Sequence, residues 1–271
     1  MPVMLFKLMS GFADMPPVDW RILIAFFASC TIIYAMGRSF FKHVFKTDAA
    51  ATTVLAMAGI FGNNVQLGVP IVQVSLGNEA IPAISLIIIF NVLLLWTVAI
   101  ASVEFGRTGS VGNWRSAAAP MLRVFKNPIV LGILIGSAWS FTGIKLPDFL
   151  EKSVELVAMS TTPMCLMVVG MGLAQHSFRA ALTKGSAITA VKLVLQPLLV
   201  WIIAKMLGLG TLETNAVVLM ASLPVAINIY LMAQDFKAEE EAASNSIFVS
   251  TFLSALTVTL TLTLLGAAPQ F

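Results

Sequence analysis

The chain has 271 residues, of which 58% are hydrophobic and 11% charged, with a net charge of +3. A soluble domain carries roughly 25% charged residues, so a mean hydropathy of +0.93 puts most of this chain in lipid and excludes a soluble fold. The 16 basic residues fall mostly in short loops, which is how a membrane protein displays its topology and not the patch of a nucleic-acid binder.

In chain order, residues 1–13 read as a partial helix, too short and too interrupted for a signal peptide or a span. Eight spans follow, at 21–41, 50–76, 81–104, 127–143, 153–174, 185–207, 213–234 and 244–266. Lys and Arg gather in the loops at 38–48, 105–126 and 175–184, so these are expected in the cytoplasm. Alternation makes the acidic stretch QDFKAEEEAA cytoplasmic as well and the C-terminus external. The expected setting is a multi-pass protein of a bacterial inner (plasma) membrane, with the lipid bilayer as its surroundings.

Little else carries chemistry. Cys30 and Cys165 lie in apolar spans as small hydrophobes with no metal-ligand spacing, and His43 and His176 sit in loops beside basic residues. No nucleophile–base pair, phosphate loop or metalloprotease motif is present, so the reading is not an enzyme, with no metal and no cofactor. Gly132 and Gly136 form a GxxxG helix-packing face. Thr161, Thr162 and Pro163 mark a second kink, by core packing or at a cavity wall, and Glu104 closes its span.

Two spans share an unusual design. GIFGNNVQLGVPIVQVSLGNEA and MASLPVAINIYLMAQDFKAEEEA each carry a proline near the middle, Pro70 and Pro224, with a small residue two positions earlier, Gly68 and Ser222. The prolines are 154 residues apart and the two spans run in opposite directions, the signature of an inverted repeat. Residues 1–104 are then an incomplete first repeat, 105–126 a loop, and 127–271 a second repeat of five helices. By this count the first repeat lacks its first helix.

Proline inside a helix costs about 3 kcal/mol, and lipid offers the freed carbonyls no partner, so such breaks persist only where protein or water lines them. Two crossed breaks would present half-helix N-termini to an anion, or unwound carbonyls and amide side chains to a cation. The candidate binding residues are Asn63, Asn64 and Gln66 at the first break and Asn228 after the second. The alternative for Asn63 and Asn64 is a plainer role, satisfying carbonyls that Pro70 frees. Lys192, an intramembrane cation with Gln196 one turn on, is expected either to snorkel to the cytoplasmic surface or to act as counter-charge to a substrate.

On MPVMLF, GNNVQLGVP with LGNEA, NPIVLGILIG, KLVLQPLL and SLPVAINIYLMAQDF, which span nearly the whole chain, the sequence resembles the auxin efflux carrier family, and its short central loop resembles the bacterial members. The resemblance implies an all-α fold of two inverted five-helix repeats whose broken fourth and ninth helices cross at the substrate site. It also implies secondary transport of small organic anions such as auxin or malate-like carboxylates. Asn63 and Asn228 match the family's asparagines, whereas Asn64 replaces the usual threonine and Gln66 a commonly apolar residue. The expected function is an efflux permease for a small organic anion, possible as a homodimer. A non-transporting remnant with a structural role, or an ion channel, are the alternatives.

Overall fold

The computed structural model describes residues 2–11, 19–108, 128–175 and 182–267. Residues 109–127 of the central loop, His176 and Arg179 lie outside the described residues, as do the side chains of Glu104, Thr161, Thr162 and Cys165. Among the described residues every element is helical, apart from one isolated β-bridge. The helices are α1 (Pro2–Ser10), α2 (Arg21–Val44), α3 (Ala49–Ala58), α4 (Val69–Leu76), α5 (Ile81–Thr108), α6 (Pro128–Phe141), α7 (Asp148–Gln175), α8 (Leu182–Ala190), α9 (Gln196–Met206), α10 (Thr211–Ala221), α11 (Asn228–Phe236) and α12 (Glu240–Leu264). Single π-helical turns, Asn64–Gly68 and Val191–Leu195, lead into α4 and α9.

Three continuous helices among the described residues, Arg21–Val44, Thr183–Met206 and Glu240–Leu264, are long and apolar enough to cross a bilayer. Their outward side chains are apolar too: Phe252, Leu256, Leu264 and Met206 are largely exposed. In water that surface would be a liability; against acyl chains it is the expected face. The chain is an all-α membrane protein.

The helices fall into two compact units that interleave along the chain. The smaller holds residues 1–17 and 89–168. In it α1 lies on α6 through the GxxxG face: a Cβ at Gly136 would come within 2.6 Å of the Phe6 carbonyl oxygen, and one at Gly132 would collide with the Pro2 carbonyl. Close backbone approach is what small residues at this spacing permit. Lys7 pairs with Glu151 of α7 at 2.5 Å, and Pro163 lies inside α7.

The larger unit holds residues 18–88 and 169–271 and contains both interrupted helices. The first runs α3, open backbone, π-turn, α4; the second runs α10, open backbone, α11. Side-chain contacts divide this unit's loops into two sets. Lys184 pairs with Glu239 at 2.5 Å and lies 5.9 Å from the Phe45 ring centroid, which joins the loops at 38–48, 175–184 and 235–244. At the other end Arg21 donates to the carbonyls of Leu207 (3.1 Å) and Gly208 (3.4 Å), and Asn215 donates to the Leu265 carbonyl at 3.4 Å. These are the same two sets that counting loop bases produces.

The first break is not where the proline suggests. Gly68 and Pro70 both lie in helix, Gly68 closing the π-turn and Pro70 in the first turn of α4. The non-helical backbone comes earlier, at residues 59–63. Pro70 has no N–H to donate to the preceding turn, and the wider π-turn Asn64–Gly68, which runs directly into α4, takes up the missing bond without ending the helix. Ser222 and Pro224 do lie in the second break. Ser222 caps α10, its hydroxyl donating to the Leu219 carbonyl at 2.8 Å. Pro224 has no N–H with which to continue that helix and holds Leu223 toward extended backbone.

Candidate functional site at the crossing of two broken helices

The two breaks meet as a single antiparallel bridge between Gly62 and Val225. The Asn63 N–H donates to the Pro224 carbonyl at 2.9 Å, and the Ala226 N–H to the Phe61 carbonyl at 2.8 Å. The Val225 N–H, pointing away from the bridge, donates to Ser250 Oγ of α12 at 3.0 Å. Buried backbone groups need partners, and here each break supplies them to the other. Gly62 is closely packed: a Cβ there would meet Asn64 Oδ1 at 2.8 Å and Lys192 Nζ at 3.1 Å, so these side-chain ends would have to shift. Gly68 also serves the contact and not the break, since its Cβ would meet Leu223 Cδ1 at 2.8 Å and Met220 Sδ at 3.0 Å.

At a break, the half-helix before it ends in carbonyls and the half-helix after it begins with N–H groups. The two carbonyl ends are both served from the π-turn region ahead of α9. Lys192 Nζ donates to the Ala221 carbonyl at 2.7 Å and to Gln196 Oε1 at 2.5 Å. Gln196 Nε2 in turn donates to the Ile60 carbonyl at 3.2 Å and approaches Cys30 Sγ of α2 at 3.4 Å. Lys192 and Gln196 are completely buried, at 0% exposure. Lys192 therefore does not snorkel; its ammonium stays at the crossing.

The N–H ends are served differently. Val65 and Gln66, opening the π-turn, and Ile227 and Asn228, opening α11, donate their backbone N–H groups to no partner among the described residues. Beside them Asn63 Oδ1 and both side-chain polar atoms of Asn64 are buried without a hydrogen bond. Asn63 and Asn64 are 9% and 3% exposed. Rescue of a proline-freed carbonyl by these asparagines does not occur, since Asn64 donates to nothing. The Leu67 and Gly68 N–H groups turn back to the Asn63 carbonyl at 3.3 and 3.2 Å, closing the turn with backbone alone.

Asn63, Asn64, Asn228 and Lys192 are thus brought to one place, with Gln66 half-buried on the adjoining π-turn. Sequence reasoning missed Gly62, Ser250 and the part played by Cys30. It saw Gln196 only as a neighbour of Lys192. The available signal was the pair of polar residues at i and i+4 in an otherwise apolar helix, which places both on one face.

Comparisons with known proteins show the family to which the chain belongs. Residues 112–262, more than half of the chain, match the family model described as membrane transport protein. A putative malonate transporter of Rhizobium meliloti (strain 1021) is 26% identical over 99% of this chain and 85% of its own. An uncharacterized transporter of Methanocaldococcus jannaschii is 23% identical over 89% of this chain and 77% of its own. Auxin efflux carrier component 8 of Arabidopsis thaliana is 24% identical over 74% of this chain and 67% of its own. The chain belongs to the membrane transport protein family, the auxin efflux carrier type, and is an integral membrane transporter.

Proposed function

We propose that the chain is a secondary carrier of a small organic anion, of the carboxylate class, which sits at the crossing and is exposed alternately to the two sides of the membrane. One observation carries this reading: the carbonyl ends of both broken helices are occupied from within, while their N–H ends and the adjoining asparagine amides are left open. Half-helix N-termini carry partial positive charge and favour anions. An anion there would take the N–H groups of Val65, Gln66, Ile227 and Asn228 and amide donors from Asn63, Asn64 and Asn228. The name of the Rhizobium meliloti relative, a putative malonate transporter, supports a carboxylate, and that of the Arabidopsis relative, an auxin efflux carrier component, supports efflux. An inverted-repeat origin of the two broken helices, with repeats at 1–104 and 127–271, accounts for their opposed directions.

Counterflow of [14C]malonate and a panel of mono- and dicarboxylates into proteoliposomes tests the reading. Asn63→Ala and Asn228→Ala are each expected to lower transport at least tenfold, equivalent to about 1.4 kcal/mol, without preventing assembly. Unchanged transport in Asn228→Ala and Pro224→Ala would remove the crossing from consideration as the site.

A further inference from the structure

We propose that the Lys192 ammonium is a resident counter-cation for the carbonyl ends of the crossing, filling the place that a coupling sodium ion would take there. The C-terminal ends of α3 and α10 each carry partial negative charge, and the bridge between residues 62 and 225 brings them together. In transporters with broken helices, unwound carbonyls of this kind coordinate the coupling cation. Here the place is taken. Nζ donates to the Ala221 carbonyl at 2.7 Å and to Gln196 Oε1 at 2.5 Å, and Gln196 passes a hydrogen bond on to the Ile60 carbonyl at 3.2 Å.

A buried cation without a partner is strongly disfavoured. The ion pairs among the described residues, Lys7–Glu151, Arg21–Asp19 and Lys184–Glu239, do not include Lys192. Its compensation is dipolar: the Ala221 carbonyl and the Gln196 amide oxygen directly, with the Ile60 carbonyl joined only through Gln196. Lys192 reaches the crossing by way of the π-turn Val191–Leu195, just ahead of Pro197. Lys192 is on this account a positioning residue. Its charge offsets the carbonyl ends and leaves the N–H ends electrostatically free for an anion.

The inference rests on the crossing being the transport site but not on which anion it carries, and its test uses no substrate. The purified full chain in lipid nanodiscs is melted in choline, sodium and methylammonium chloride at equal ionic strength. Wild type is expected to melt at one temperature in all three salts. Lys192→Ala is expected to melt lower in choline and to recover half or more of that loss, saturably, with sodium or methylammonium. Lys192→Met, which refills the space without charge, is expected to melt lower in every salt without recovery. Because Lys192→Ala opens a hole, Lys192→Ser is carried alongside and read by the same criterion. Saturable stabilisation of wild type by sodium overturns the proposal. So does a Lys192→Met variant as stable as wild type, or an equal loss in all three salts for Lys192→Ala and Lys192→Ser. A negative carboxylate screen leaves this proposal standing, and a negative melting result leaves the anion reading standing.

Discussion

At the residue scale the crossing combines two kinds of position that respond oppositely to substitution. Gly62 is a closely packed position, because a Cβ would press on Asn64 Oδ1 and displace the Lys192 ammonium from its hydrogen bonds. Gly62→Ala is expected to cost about 1–3 kcal/mol of stability, the usual range for overpacking, measured by denaturant unfolding in mixed micelles, and to abolish transport. Asn64 is the reverse. Both of its side-chain polar atoms are buried without partners, and an apolar replacement of similar shape removes a desolvation penalty. Asn64→Leu is therefore expected to melt at or above the wild-type temperature while transport falls; a stability loss with transport retained would show that the amide is structural.

At the surface, the Arg21 side chain bonds the Asp19 carboxylate and holds its pKa below the ordinary value. A depressed carboxylate pKa stabilises the fold above the ordinary carboxylate pKa, and this contribution is lost as pH falls through the lowered value. Asp19→Asn is expected to flatten the acid limb of the stability–pH curve slightly, since the pair is partly exposed and solvent-screened.

At the element scale, the prolines show what could be read and what could not. Proline chemistry correctly marks Pro224, where the missing donor disfavours continuing α10 and the backbone of residues 222–227 is open. The same logic misplaces the first break, because the π-turn Asn64–Gly68 absorbs the bond that Pro70 cannot make and the helix continues through it. The information for the true break lies in Gly59 and Gly62, where a Cβ would meet Val191 and Lys192 respectively, neighbours that the local sequence does not reveal. Pro70→Ala is expected to leave the melting temperature unchanged or raised, whereas Pro224→Ala lets α10 extend, withdraws the Pro224 carbonyl from Asn63 and lowers both stability and transport. The same melting and counterflow measurements check both. Helix α3, buried on all sides, starts from Asp48, whose carboxylate accepts the Ala51 N–H at 2.8 Å. Loss of that cap in Asp48→Ala is expected to cost about 1 kcal/mol, read by denaturant unfolding.

At the scale of the whole molecule, hydropathy and loop charge place the helices and separate the two ends of the larger unit, because lipid imposes length and composition on every span. Lys184 with Glu239 and Phe45, and Arg21 with Leu207 and Gly208, fall on the sides that the base count assigns. The division of labour at the crossing was not legible, because no local signal says which carbonyl a buried lysine will meet 29 residues away. Long-range pairing of this kind is decided by packing and not by pattern. The account as a whole stands on the separation of filled carbonyl ends from open N–H ends. Carboxylate counterflow in proteoliposomes of wild type, Asn63→Ala and Asn228→Ala tests it most directly. The account predicts that a carboxylate is carried by wild type and at least tenfold more slowly by both variants; a carboxylate carried equally by all three would contradict it.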